Sequence, residues 1–98
     1  MIVNFNLQGI ERAQYEEACN ELASTFAAID GLISKHWLAN EDTNTYGGVY
    51  VWESSEAMNN FKSSEIFQQV GSNPAFANIT VTDFEILEGP SQVTGVAL

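Results

Sequence analysis

The residue types suited to chemistry gather in two short stretches, Gly31-Leu32-Ile33-Ser34-Lys35-His36-Trp37 and Gly47-Gly48-Val49-Tyr50-Val51-Trp52. Flat rings at Trp37, Tyr50 and Trp52 can sandwich a planar molecule, and Tyr and Trp each add a polar handle to a large apolar body. Lys35 can pair with an anionic ligand. Asn4, Asn6 and Tyr50 can donate hydrogen bonds to it. His36 is the single histidine, and an unperturbed imidazole titrates near neutral pH.

The elements that must hold these groups follow from hydrophobic period. Ile2 to Leu7 alternates as a strand, with Val3, Phe5 and Leu7 on one side and Asn4 and Asn6 on the other. Residues 10–29 carry Tyr15, Ala18, Leu22, Phe26 and Ile29 at helical spacing, flanked by Cys19, and Asp30-Gly31 stops the helix. Residues 32–38 and 48–52 predict two strands of an antiparallel hairpin across a polar turn. Ser54 or Ser55 caps a second helix running to about residue 70, with Met58, Phe61, Ile66, Phe67 and Val70 as its apolar positions. Ser63-Ser64 divides that helix in two, and Gly71 to Pro74 forms a loop. Residues 78–87 predict a fourth strand, closed by Glu88-Gly89-Pro90, and residues 91–98 a tail with weak structural signals.

The order βαββαβ predicts an α+β fold of ferredoxin-like type, one domain over residues 1–98, with both helices on one face of an antiparallel sheet. Alternation on the third strand leaves a choice of face. Assigning Val49 and Val51 to the helix side turns Gly48, Tyr50 and Trp52, with Lys35, Trp37 and Ile33, toward the open face. Large exposed rings need cover, and a second copy packed about a two-fold axis supplies it. The expected result is a homodimer whose two sheets enclose an aromatic cavity, with Asn4 and Asn6 as polar groups inside it. His36, of opposite parity to Lys35, then faces the helices or the sheet edge. Asp83 and Glu85 share one side of the fourth strand, as cavity bases or as edge charges.

Composition excludes several classes. Thirteen acidic residues oppose three basic ones, Arg12, Lys35 and Lys62, for a net charge of −10. So acidic a chain repels nucleic acid and anionic membranes, and no apolar run reaches the ~18 residues of a membrane span. The start has neither the basic nor the apolar region of a signal peptide. With the lone Cys19 this fits a cytoplasmic protein. One histidine and one cysteine do not make an ordinary zinc site, and no Walker-type or dinucleotide-binding glycine pattern is present. No metal and no cofactor is expected.

Gly31 to Trp37 resembles a Gly-x-x-x-Lys-x-Trp pattern, and Gly47 to Trp52 resembles a Gly-Gly-x-Tyr-x-aromatic strand. Phe84 to Gln92 is similar to the closing strand and tail of the same group. Together, in this order and spacing, they resemble the YdhR-type monooxygenases of the dimeric α/β-barrel superfamily, relatives of the antibiotic biosynthesis monooxygenases. The chain departs from that pattern at Gly89-Pro90 and in a longer segment from Gly71 to Phe76. The resemblance implies a homodimer and a cofactor-independent monooxygenase that oxidises a small aromatic or quinol-like compound. A non-catalytic dimeric binding protein, or an isomerase or cyclase using the same pocket, stays open as an alternative. Such oxygenation needs a dry pocket, donors for a developing oxyanion and a proton path. Trp52, Tyr50 and Lys35 are the candidate catalytic residues; Asn4, Asn6, Trp37, Gly48, Met58 and Phe61 are the candidate substrate-binding ones. Trp52 matches a pocket-lining tryptophan of related monooxygenases. The competing role for the rings is to glue the dimer.

Overall fold

The computed structural model describes residues 1–96. Residues 97 and 98, the end of the expected tail, lie outside the described residues. Four strands, β1 (Ile2–Leu7), β2 (Leu32–Asn40), β3 (Thr45–Trp52) and β4 (Phe76–Thr82), form one antiparallel sheet in the order β2-β3-β1-β4. Helix α1 (Arg12–Ala27) links β1 to β2; α2 (Ser55–Lys62) and α3 (Glu65–Ser72) link β3 to β4; the short α4 (Glu88–Val93) follows β4. The βαββαβ order and the ferredoxin-like α+β class are as expected.

Local chemistry sets the boundaries. At the start of α1 the Glu11 backbone N–H donates to Gln14 Oε1 at 2.8 Å, satisfying a donor that the helix itself leaves free. Ser54 and Ser64 each accept from a backbone N–H three residues on, those of Ala57 at 3.1 Å and Phe67 at 3.3 Å. Two successive serine caps explain why residues 55–72 form two short helices rather than one. Between α1 and β2, Gly31 takes a φ of +81°, and a Cβ there would lie 2.4 Å from the Ala57 Cβ. Only glycine permits both that conformation and the close approach of α2.

Two elements differ from expectation. The fourth strand ends at Thr82, not Leu87, and residues 83–87 run on without sheet pairing. Glu88-Gly89-Pro90 opens a helix instead of closing a strand, since proline is tolerated in a first turn, whose N–H groups lack helical partners.

The larger correction concerns the faces. Val3 is paired with Gly48, and Lys35 with Tyr50. Paired residues share a side, so Val3, Phe5, Tyr46, Gly48, Tyr50, Lys35 and Trp37 point the same way. Tyr15 and Phe26 of α1 and Phe61 of α2 cover that side, and they are buried with Val3, Phe5, Tyr46 and Tyr50. The rings therefore lie under the helices, and Val49 and Val51 face away from them. This is the reverse of the assignment made from alternation. Burying rings of ~150–250 Å² each under the helices hides more apolar area than burying valines there would. Tyr15, Cys19 and Phe26 of α1 and Ile29 just beyond it meet the core, while Ala18 and Leu22 of the expected stripe are exposed.

Candidate active site

The helix-facing side of β2 and β3 builds the site. Lys35 projects from β2 over Gly48 of β3. A Cβ on Gly48 would stand 2.7 Å from the Lys35 Cε and 3.1 Å from a Tyr50 ring carbon. The absence of a side chain at Gly48 thus makes room for the lysine stem, not for a planar ligand as its position suggested. The Lys35 Nζ lies 3.4 Å from the Trp37 ring centroid, 3.7 Å from that of Phe26 and 4.7 Å from that of Tyr50. Phe26 closes this cage from α1, standing edge-on to Trp37 at 5.2 Å.

No carboxylate completes the arrangement. Among the described residues Arg12 pairs with Glu16 and Lys62 with Asp83, while Lys35 has neither an ion pair nor a hydrogen bond. Burial pushes the Lys35 amine from the ordinary 10.5 down to about 7, and Cys19 opposes the fall slightly. The ring faces oppose it too, since their quadrupoles attract the ammonium. Burial also drives the Tyr50 phenol above its usual range and the Cys19 thiol upward. Tyr50 and Cys19 are therefore neutral at pH 7, and Lys35 is the group that can exchange a proton there.

Trp52 ends the same row. Its ring lies 5.1 Å from that of Phe61. Its indole Nε1 is buried and has no hydrogen-bond acceptor. Trp52 also walls a cavity of about 770 Å³ that reaches round the end of the sheet, with Tyr50 and Met58 from the helix side, Ile2, Val49 and Val51 from the open face, and the chain from Phe84 to Glu88. A volume of this order suits a small organic ligand. The Lys62–Asp83 ion pair joins α2 to the chain leading into that wall.

A family model described as "Putative mono-oxygenase ydhR" matches residues 1–97. The chain belongs to the YdhR family. Among curated proteins the search finds no match.

Of the residues singled out from the sequence of this YdhR-family protein, the structure brings Lys35, Trp37, Gly48, Tyr50, Trp52, Met58 and Phe61 together on the helix side. It does not bring Asn4 and Asn6 to them. Both sit on the opposite face of β1, where Asn4 is paired with Gly47. Asn6 is engaged in holding strands together: its Nδ2 donates to the Asn44 carbonyl at 2.7 Å, and its Oδ1 accepts from Asn78 Nδ2 at 2.9 Å. His36, paired with Val49, is exposed on the side away from the helices, not under them. Asp83 lies beyond β4 and meets Lys62. Glu85, weighed from sequence as a cavity base or an edge charge of the fourth strand, lies beyond β4 and lines the cavity; Phe26, Phe84, Ile86 and Leu87 were not singled out as site residues. The helical spacing of Phe26 from Tyr15 marked it as core, but its ring reaches Lys35 only because α1 crosses β2. No helix among the described residues is long and apolar enough to cross a membrane.

Proposed function

We propose that this protein is a cofactor-independent monooxygenase that oxidises a small aromatic or quinol-like compound in the cavity beside Trp52. The observation that carries the proposal is the pair of parallel rings, Tyr50 and Trp52, at a wall of that cavity. The Trp52 N–H is enclosed and without an acceptor; an unmade buried hydrogen bond costs ~1–3 kcal/mol, and a shift of the ring on binding would offer it to a bound oxygen atom. Behind Tyr50, 4.7 Å from its ring centroid, the Lys35 Nζ supplies an amine able to accept a proton near neutral pH.

In this mechanism the substrate is an activated methylene or phenolic compound. Lys35 in its amine form takes the substrate proton, and the Trp52 N–H steadies the charge on the substrate oxygen. The carbanion reduces dioxygen, forming a C–O bond to one oxygen atom. The hydroperoxide loses water, so that a methylene group and dioxygen give a carbonyl group and water. Tyr50 and Trp52 offer flat surfaces for the ring at the cavity wall, and Trp37 and Phe61 pack behind them to exclude water.

The proposal includes a homodimer formed through the open sheet face. Ile2, Val49 and Val51 lie there, and Ile33, at 55%, is exposed beside them. The Leu32–Ser34 bulge of β2 sets Leu32, not Ile33, opposite Trp52. Apolar cover in this dimer comes from aliphatic residues rather than from the rings.

Oxygen uptake on mixing with anthrones and hydroquinones, with product mass, is the test. Uptake with a product one oxygen heavier and two hydrogens lighter supports the proposal. Binding without uptake identifies a binding protein and overturns it, and an isomeric product of unchanged mass overturns it in favour of an isomerase.

A further inference from the structure

Lys35 has a second chemical capacity besides accepting protons. In a chain of net charge −10, the other two basic side chains each hold a carboxylate and this one does not. Instead its Nζ stands against the faces of Trp37, Phe26 and Tyr50 at 3.4, 3.7 and 4.7 Å. Lys35 is not fully enclosed, so part of its side chain meets solvent. An amine with an apolar surround and no counter-ion is the environment in which lysine becomes a nucleophile.

We propose that Lys35 is a carbonyl-capturing residue that forms a reversible imine with aromatic aldehydes or ketones, whose rings lie against the aromatic faces around it. The amine lone pair attacks the carbonyl carbon and forms a C–N bond, while the C=O π pair moves to oxygen, which is protonated. The carbinolamine then loses water to leave C=N. Amine and aldehyde thus give imine and water, with no oxidant or reductant. The titratable groups facing Lys35 are Cys19 from α1 and Tyr50 from β3, and burial holds both toward their neutral forms. Neither supplies an anion that would hold the lysine as an ammonium. Lys62 lacks these features, since it is paired with the Asp83 carboxylate. At neutral pH an ordinary lysine has about one amine in 10³ molecules, whereas one titrating near 7 has about half.

The experiment is benzaldehyde incubation at pH 7.5, borohydride reduction and peptide mapping of the intact chain. A single benzyl adduct at Lys35 is expected, formed at least ~10-fold faster than at Lys62, given the difference in amine fraction. Lys35→Arg, which keeps the charge and lacks a titrating amine, loses the adduct. Labelling of Lys62 as fast as Lys35, or of the Met1 amine in place of Lys35, overturns the proposal. The mapping on the parent protein decides even if the variant fails to fold. The readout is covalent mass, so it stands or falls separately from oxygenation.

Discussion

Tyr50 and Trp52 lie almost parallel, their ring planes 4° apart and their centroids 5.9 Å apart. They are two residues apart on one strand, so alternation places both on one side, and Phe61 of α2 packs against both at 5.4 and 5.1 Å. The row continues through the Tyr50 face to Lys35. Three alternate positions on one side of β3, with Gly48 as the unfilled one, thus hold a titrating amine at one end and an unpaired indole N–H at the other.

Trp52→Phe separates these features. Phe keeps the apolar contact with Phe61 and removes the buried N–H, whose missing acceptor costs ~1–3 kcal/mol in the free protein. Loss of ring area offsets this gain, so urea midpoints should convert to a stability within ~1 kcal/mol of the parent. Affinity or turnover with an anthrone should fall by about tenfold, the worth of one hydrogen bond. A variant that binds and turns over its ligand like the parent removes Trp52 from the site.

The two adjacent glycines should behave differently when replaced by alanine. At Gly48 the added Cβ meets the Lys35 Cε at 2.7 Å, near the far end of a flexible side chain that can swing aside. Gly48→Ala should fold, displace the amine from its cage and return the Lys35 titration toward the ordinary lysine range, as seen by NMR of its ε-methylene. At Gly47, φ is +145° and the Cβ would sit 1.8 Å from the Val3 carbonyl oxygen. Backbone cannot yield to that degree without parting β1 from β3, so Gly47→Ala should lower stability by at least ~3 kcal/mol. A Gly47→Ala melt close to that of the parent would show that the strands can separate there.

The strand and helix order was legible because each segment has one dominant period and a clear stop, such as the Ser63-Ser64 break. The faces were not. On β3 both parities are apolar, Val49 and Val51 against Tyr50 and Trp52, so alternation defines two sides without saying which is inside. The deciding fact is a register, Val3 against Gly48, and register is a relation between strands distant in sequence. Once β1 is known to bury Val3 and Phe5, that register puts the rings under the helices and separates Asn4 and Asn6 from Lys35. Ile33 parts from Lys35 and Trp37, with which strict alternation grouped it, since the bulge before Ser34 shifts its alternation by one residue. The aromatic and lysine members of the site could be picked out by residue type alone, because they share a parity whichever side faces in.

Breaking the Lys62–Asp83 ion pair should loosen the cavity wall more than it weakens the fold. Both partners are partly exposed, and such pairs are worth ~0–1 kcal/mol. Lys62→Met should therefore shift the melting transition little. Hydrogen exchange from Phe84 to Leu87, which lies just beyond the pair and is without sheet pairing, should quicken severalfold, and high salt should reproduce the effect in the parent. Unchanged exchange in that stretch would show that Asp83 does not hold it.

The last prediction concerns stability against pH. The folded-state pKa of Lys35 is lowered to about 7 from 10.5, so between those values the unfolded chain binds more protons than the folded one. Stability then rises with pH across this window, with a slope approaching ~1.4 kcal/mol per unit. The contribution is fully present above about pH 10.5 and is lost as pH falls through 7. Tyr15 and Tyr50 act in the opposite sense. Burial raises both phenols above the ordinary 10, so what they contribute is present below pH 10 and is lost above it. Stability should climb from pH 7, reach a maximum between about pH 9 and 10, and fall beyond. Urea unfolding at pH 7, 8.5, 9.5 and 11 measures the curve. Lys35→Met should flatten the rise from 7 to 9.5 and leave the alkaline fall in place. An equal rise in parent and variant would mean that Lys35 titrates in the folded protein as an ordinary solvated lysine.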